Sequence, residues 1–195
     1  EMLTRDWSSD VCSSDLIVSN LTVPQSVGQF SDTSRFKVLE GTTNGEVVLG
    51  FNHGNQALSN LKVRQAINHA IDRRAVLDSA WGGKGTLIGS MVPPTDPWYE
   101  DLSNTYPYDP AKAKQLLEEA GYANGLTLRM RVPTLPYAPP IAKLVAAQLR
   151  EVGIEVNVEE LDFSTWLSQV YTQRDYDMTV VAHVEPWDLP QFANR

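Results

Sequence analysis

The sequence predicts an α/β domain built on a parallel βαβαβ sheet, and three stretches carry that prediction. Leu126, Leu128, Met130 and Val132 alternate with Thr127, Arg129 and Arg131, the period-two pattern of a strand with one wet face. Ile154, Val156 and Val158 alternate in the same way. Met178 to Ala182 is apolar apart from Thr179, as expected for a strand buried on both faces of a parallel sheet. Between them lie two stretches of helical period: Ile141, Leu144, Val145, Leu149 and Val152, closed by Gly153, then Phe163, Trp166, Leu167, Val170 and Tyr171, capped by Asp162. Connections this short demand right-handed parallel crossovers, and ligands of such sheets sit beyond the carboxyl ends of the strands.

The rest of the chain follows in order. Asp6 to Leu16, DWSSDVCSSDL, matches a translated reading frame of a common sequencing adapter, so residues 1–16 are expected to be non-native. Setting aside Asp6, Asp10 and Asp15 takes the formal charge from −8 to −5. Ile17 to Asn52 reads as strand-rich. Phe36 and Val38 would pair with the GEVVLGFN run across a turn at Thr42-Thr43-Asn44-Gly45. Val63, Ala66, Ile67, Ala70 and Ile71 then form one apolar helical stripe, with Ser59 or Asn60 at its start. Asp72 caps a second helix, RRAVLDSAW. Gly82, Gly83, Gly85 and Gly89 forbid any helix beyond it, and Pro93-Pro94 closes the loop. In the next segment, PPTDPWYEDLSNTYP, Trp98, Tyr99 and Tyr106 either line a cleft or staple the loop to its domain. Asp109 caps a further helix, with Pro110 at its first position, a stripe of Ala113, Leu116, Leu117 and Ala120, and Gly121 as its stop.

Composition excludes several classes. A net charge of −8 and pI near 4.8 leave no clustered basic surface for nucleic acid. No apolar run reaches the length of a membrane span. The lone Cys12 rules out a disulfide framework or a cysteine metal site. The glycine loop is not a phosphate cradle, because Lys84 is followed by Gly85 rather than Ser or Thr and no helix follows. His53, His69 and His183 show no metal-ligand spacing, and no G-x-S-x-G elbow exists. Solvation and helix capping account for Glu159, Glu160 and Asp162. The chain is therefore not expected to be an enzyme, and neither catalytic residues, metal nor cofactor are assigned.

Two motifs point to a specific family. The run VRQAINHAIDR followed by GGKGTLIGSMVPP, and then YPYDPAKAKQLLEEAGY, resembles the signature of the family 5 extracellular solute-binding proteins, the peptide-binding receptors of ABC importers. The resemblance extends from about Ile17 to the end. It implies a periplasmic-binding-protein type II-like fold in which 17–51 end a first lobe and supply hinge strands, while 52–195 form a second α/β lobe, both truncated. It also implies an extracytoplasmic receptor, periplasmic or lipid-anchored at the cell surface, its signal segment absent from this chain. Such a receptor acts as a monomer, holds a peptide or small solute between its lobes and hands it to permease subunits.

In that family the last strand runs into a loop whose acidic residue receives the ligand's α-amine, with an aromatic nearby. Here that loop is His183-Val184-Glu185-Pro186-Trp187-Asp188. Ala182-His183 stand where the family often has Gly-Trp, so Trp187 replaces the missing aromatic. Glu185 and Asp188 both match the acidic position. Asp188 ranks first, because Pro186 biases Glu185 toward an extended backbone aimed elsewhere. A ligand-sensing module of a regulator or chemosensor is the alternative reading, and an α/β hydrolase a more distant one.

Overall fold

The computed structural model describes residues 24–184, so residues 1–16 and the acidic stretch Glu185–Asp188 lie outside the described residues. Four strands and six helices follow a short 3₁₀ segment, Pro24–Phe30. They are β1 (Glu46–Phe51), α1 (Gln56–Ser59), α2 (Leu61–Ala70), α3 (Arg73–Trp81), α4 (Pro110–Glu119), β2 (Leu126–Pro133), α5 (Ala138–Glu151), β3 (Ile154–Leu161), α6 (Phe163–Trp166) and β4 (Met178–His183). One sheet has the order β1-β4-β2-β3. β2 pairs in parallel with both β3 and β4, which is the βαβαβ unit expected from the period-two stretches.

The amino-terminal hairpin does not form. Phe36 to Gly45 is irregular, and β1 instead runs antiparallel to β4, with Glu46 opposite His183 and Phe51 opposite Met178. The reason is burial. The inner strand β4 offers β1 a ladder within the core sheet, whereas Val38 and Leu39 are exposed and have no apolar face to share with it.

Local chemistry sets the helix ends. Asn55 caps α1, a helix too short for its period to be visible, and Asn60 caps α2 by accepting from the Lys62 N–H at 2.9 Å. Asp72 caps α3 and Asp109 caps α4 in the same way. At the far end of α4, Gly121 takes the left-handed conformation (φ 87°). The Tyr122 N–H then reaches back to Leu117 O at 2.8 Å and the Gly121 N–H to Glu118 O at 3.0 Å, a Schellman closure.

The main core lies on one face of the sheet. Leu128, Met130 and Val132 of β2 meet Ile141, Val145 and Leu149 of α5, and Val63, Ala66 and Ile67 of α2 pack with Ala113, Leu116 and Leu117 of α4 in the same cluster. The loop from α3 to α4 folds over α2 and α3. The Arg73 guanidinium donates to the carbonyls of Ile88, Ser103 and Tyr106, and His69 Nδ1–H donates to Pro107 O at 2.7 Å. His69 is thus a satisfied structural histidine, edge-on to Tyr106.

The opposite face of β2 is wet at its start, where Thr127 is exposed and Arg129 partly so, but not at its end. α6 and the π-helical turn that continues it, Leu167–Thr172, cover it with Trp166 and Val170, both buried. Of the expected stripe the other three residues, Phe163, Leu167 and Tyr171, are exposed: they fall four residues apart, in a row beside the buried Trp166 and Val170, and only that buried row meets the sheet. Arg131 is consequently buried, its side chain only 8% exposed. It donates from Nη1 to Asp175 O (2.9 Å) and Oδ2 (2.8 Å), and from Nη2 to Gln169 Oε1. Its Nε lies 2.8 Å from Glu159 Oε2, but without hydrogen-bond alignment, so that contact is charge against charge. Trp166 Nε1–H donates to Thr179 Oγ1, whose hydroxyl donates to Arg131 O at 2.7 Å.

Asp162 begins α6 by accepting from the Thr165 N–H at 2.9 Å and from the Ser164 hydroxyl. Those bonds, Ser164's first, lower its pKa to about 2. A depressed carboxylate stabilises the fold above its unfolded pKa near 4 and loses that contribution as pH falls through the folded value. The Thr165 amide resonance is therefore expected to titrate with a midpoint near pH 2, and a midpoint near 4 would mean that the cap is not formed in solution. No helix among the described residues is long and apolar enough to cross a membrane.

Candidate functional site

The carboxyl ends of β2, β3 and β4 lie together, and because β1 runs the other way its first residue joins them. The edge so formed comprises Pro133 to Tyr137 after β2, Asp162 after β3, His183-Val184 ending β4, and Asn44-Gly45 leading into β1. A side chain at Gly45 would meet Val184 Cγ1 at 3.4 Å and His183 O at 3.7 Å, so the approach to β1 and the end of β4 touch.

Two aromatic rings frame this edge, and sequence reasoning assigned neither to it. Tyr137 Oη accepts the Ala182 N–H at 2.9 Å, tying the loop after β2 to the end of β4. Burial pushes its phenol pKa above the ordinary value. Trp81, the last residue of α3, stacks on it with ring centroids 6.4 Å apart and planes 25° from parallel. The only sequence signal was position: a tyrosine just after a parallel strand, where the topology puts ligand. The loop carrying Trp98 comes to the same end, since Thr95 Oγ1 donates to Asn44 Oδ1 at 2.9 Å. Trp98 is exposed, whereas Tyr106 packs against His69 and staples its loop.

Of the residues expected at the site, His183 is on this edge and half-buried, and Glu185, Trp187 and Asp188 lie outside the described residues. The chain runs directly from Val184 into them. Among the described residues no group of His, Cys, Asp or Glu is arranged to hold a metal ion. A shallow groove of about 360 Å³ between Lys114, Tyr122, Arg150 and Gly153 lies at the opposite end of the sheet, where β3 begins. It is open and polar, and none of the site residues reaches it.

Residues 13–194 match the model for bacterial extracellular solute-binding proteins, family 5 middle. A peptide-binding protein of an ABC transporter from Brucella ovis, itself named as putative, is 37% identical over 152 residues, 75% of this chain and 28% of the relative. Heme-binding protein A of Haemophilus influenzae is 39% identical over 114 residues, 56% of this chain and 21% of that protein. The chain thus spans about a quarter of the length of the curated relatives it matches. Among solved structures, a dipeptide-binding protein from Pseudoalteromonas in complex with Met-Leu superposes with a TM-score of 0.78 at 27% identity, covering 86% of this chain and 34% of that one. The periplasmic binding protein DppA of Helicobacter pylori, in complex with the peptide STSA, gives 0.77 at 26%, covering 84% and 31%. The periplasmic-binding-protein fold read from the sequence is therefore the fold observed, and the chain belongs to the family 5 bacterial extracellular solute-binding proteins.

Proposed function

We propose that this chain is the second lobe, with its hinge, of the substrate-binding component of an ABC importer. It captures a peptide or similar small solute against the carboxyl edge of its sheet and delivers it to permease subunits in the membrane. The observation that carries this reading is the meeting of the start of β1 and the end of β4 at Glu46 and His183, on the edge where a parallel sheet binds its ligands, in a chain of this family. β1 and β4 are the strands by which the chain enters and leaves the lobe, with 17–51 ending the first lobe and 52–195 forming the second. A receptor of this kind works as a periplasmic or surface-anchored monomer, and closure of one lobe on the other excludes water from the ligand.

Within this reading Asp188 anchors the ligand's amine, with Glu185 as the competing carboxylate and His183 and Trp187 beside them. A carboxylate facing an ammonium in a closed cleft makes a charge-assisted hydrogen bond worth about 1.5–3 kcal/mol. In the full-length receptor, Asp188→Asn is expected to weaken a free-amine peptide by that amount, measured by calorimetry, and to leave its N-acetylated form almost unchanged. Equal losses for both ligands would assign Asp188 to the scaffold. A selective loss in Glu185→Gln would move the anchor there.

A further inference from the structure

Asparagine followed by glycine is the pair most prone to lose its side-chain amide, because glycine has no Cβ to shield its backbone nitrogen from the neighbouring side-chain carbonyl. Two such pairs stand in this chain, Asn44-Gly45 and Asn124-Gly125, and each leads directly into a strand, β1 and β2 respectively. By sequence the two are alike. Their surroundings in the fold are not.

The nitrogen of Gly125 is locked. Its N–H donates to Tyr122 O at 3.0 Å and closes the turn that follows α4. That turn is pinned on both sides, by the Tyr122 N–H to Leu117 O at 2.8 Å and by the Leu126 N–H to Gly153 O at 3.1 Å. Gly125 also holds φ at 98°, with Gly153 O only 3.2 Å from where a Cβ would stand. Swinging its nitrogen onto Asn124 Cγ means unmaking those backbone bonds. Gly45 is held differently. It ends the irregular stretch from Phe36, and its N–H donates to the Thr43 hydroxyl at 3.2 Å, an exposed side chain that turns aside on its own. Asn44 Oδ1 meanwhile accepts the Thr95 hydroxyl at 2.9 Å. Negative charge gathers on that oxygen when Cγ is attacked, so a donor already in place favours the attack.

We propose that Asn44 is a site of spontaneous deamidation and that the fold protects Asn124 from the same reaction. Gly45 N gives up its proton and bonds to Asn44 Cγ, the Cγ–Nδ2 bond breaks, and the amide nitrogen leaves with that proton as ammonia. Water then opens the five-membered imide. Cleavage of the new N–Cγ bond leaves aspartate. Cleavage of the original peptide bond leaves isoaspartate, in which the backbone runs through Cγ. The sum is an amide and water giving a carboxylic acid and ammonia, with nothing oxidised or reduced. Either product adds one negative charge to the −8 of the chain. Isoaspartate also inserts a methylene into the backbone just ahead of Glu46, the residue that opens the ladder opposite His183. The reaction needs neither ligand nor partner, and its structural effect falls on the start of β1 rather than on β2 and β3.

The test is incubation of the folded 195-residue chain in mildly alkaline buffer, with peptide mapping by mass spectrometry to time each site and isoaspartyl methyltransferase labelling to report isoaspartate. Asn44 is expected to convert at least tenfold faster than Asn124, and the two to convert within threefold of each other once the chain is unfolded in urea. Gly45→Ala fits the space, since its Cβ would meet its nearest neighbours at 3.4 Å, and it should slow Asn44 at least tenfold while leaving Asn124 unchanged. Circular dichroism checks that this variant folds. Asn44→Gln, which keeps an amide but moves its carbon out of reach, should abolish the isoaspartate label at this position. Equal rates at the two sites in the folded chain, or faster loss at Asn124, would overturn the proposal. So would an Asn44 that converts in urea but stays intact in the folded chain, or a tenfold preference for Asn44 that survives unfolding.

Discussion

Replacing Arg131 with alanine is expected to cost about 3 kcal/mol of folding stability, the low end of the range for breaking a buried ion pair. The guanidinium is almost wholly enclosed and joins three segments: β3 through Glu159, the π turn through Gln169, and the chain entering β4 through Asp175. The value falls at the low end because Glu159 and Asp175 are about half exposed, 44% and 52%, so water rehydrates them once the arginine is gone. Arg131→Met keeps most of the buried stem and should cost clearly less, since packing is part of what an arginine contributes. Urea denaturation with an unchanged slope is the measurement. A loss below about 1 kcal/mol for the alanine variant would show that the network is ornamental. Asp175 itself has a lowered pKa, chiefly through its hydrogen bond from Arg129, so its contribution is present above the unfolded carboxylate range and declines as pH falls through the folded value.

Gly89→Ala is expected to destabilise the chain by roughly 2–3 kcal/mol, the upper part of the range for overpacking. A methyl group there would stand 2.1 Å from the Leu102 carbonyl carbon and 2.3 Å from Ser103 N. Both belong to a peptide unit, which cannot swing aside as a side chain does. One strand of the loop between α3 and α4 must therefore lift off the other, and with it the Arg73 clamp that holds Ile88 O on one side and Ser103 O on the other. The damage should be local. Faster amide exchange and protease cutting within residues 82–107, with β2 to β4 still protected, is the expected pattern. Unchanged melting and exchange would mean that the two segments do not cross this closely in solution.

The legible parts of this fold are the ones whose causes are local. α4 announces itself because Asp109, Pro110 and Gly121 each act within a turn of where they stand. The βαβαβ unit is legible for a related reason: each strand's own period fixes its faces, and short connections leave one handedness. What was misread depends on partners far along the chain. Arg131 alternates with apolar neighbours as a solvent-facing residue does, and only α6 and its π turn, laid across the end of β2, enclose it. β1 was given a neighbour in sequence, whereas its ladder is with β4. The Trp81–Tyr137 pair joins the end of one helix to the start of another, and no period or motif spans that gap.

The pairing of β1 with β4 also dictates an order of assembly. During synthesis β1 emerges before α1 to α6, β2 and β3, and β4 only after them, so the edge of β4 that β1 covers stays open, and β1 unplaced, until everything between them has been made. Closing so long a loop adds only a little to the entropic cost, because that cost grows with the logarithm of loop length. The consequence is kinetic. α5 and the β2–β3 pair can form from near neighbours while β1, rich in β-branched residues, waits as an unpaired strand open to other chains. Completion of this sheet is thus tied to the moment β4 is delivered, and any stall between β3 and β4 leaves β1 as a sticky ribbon.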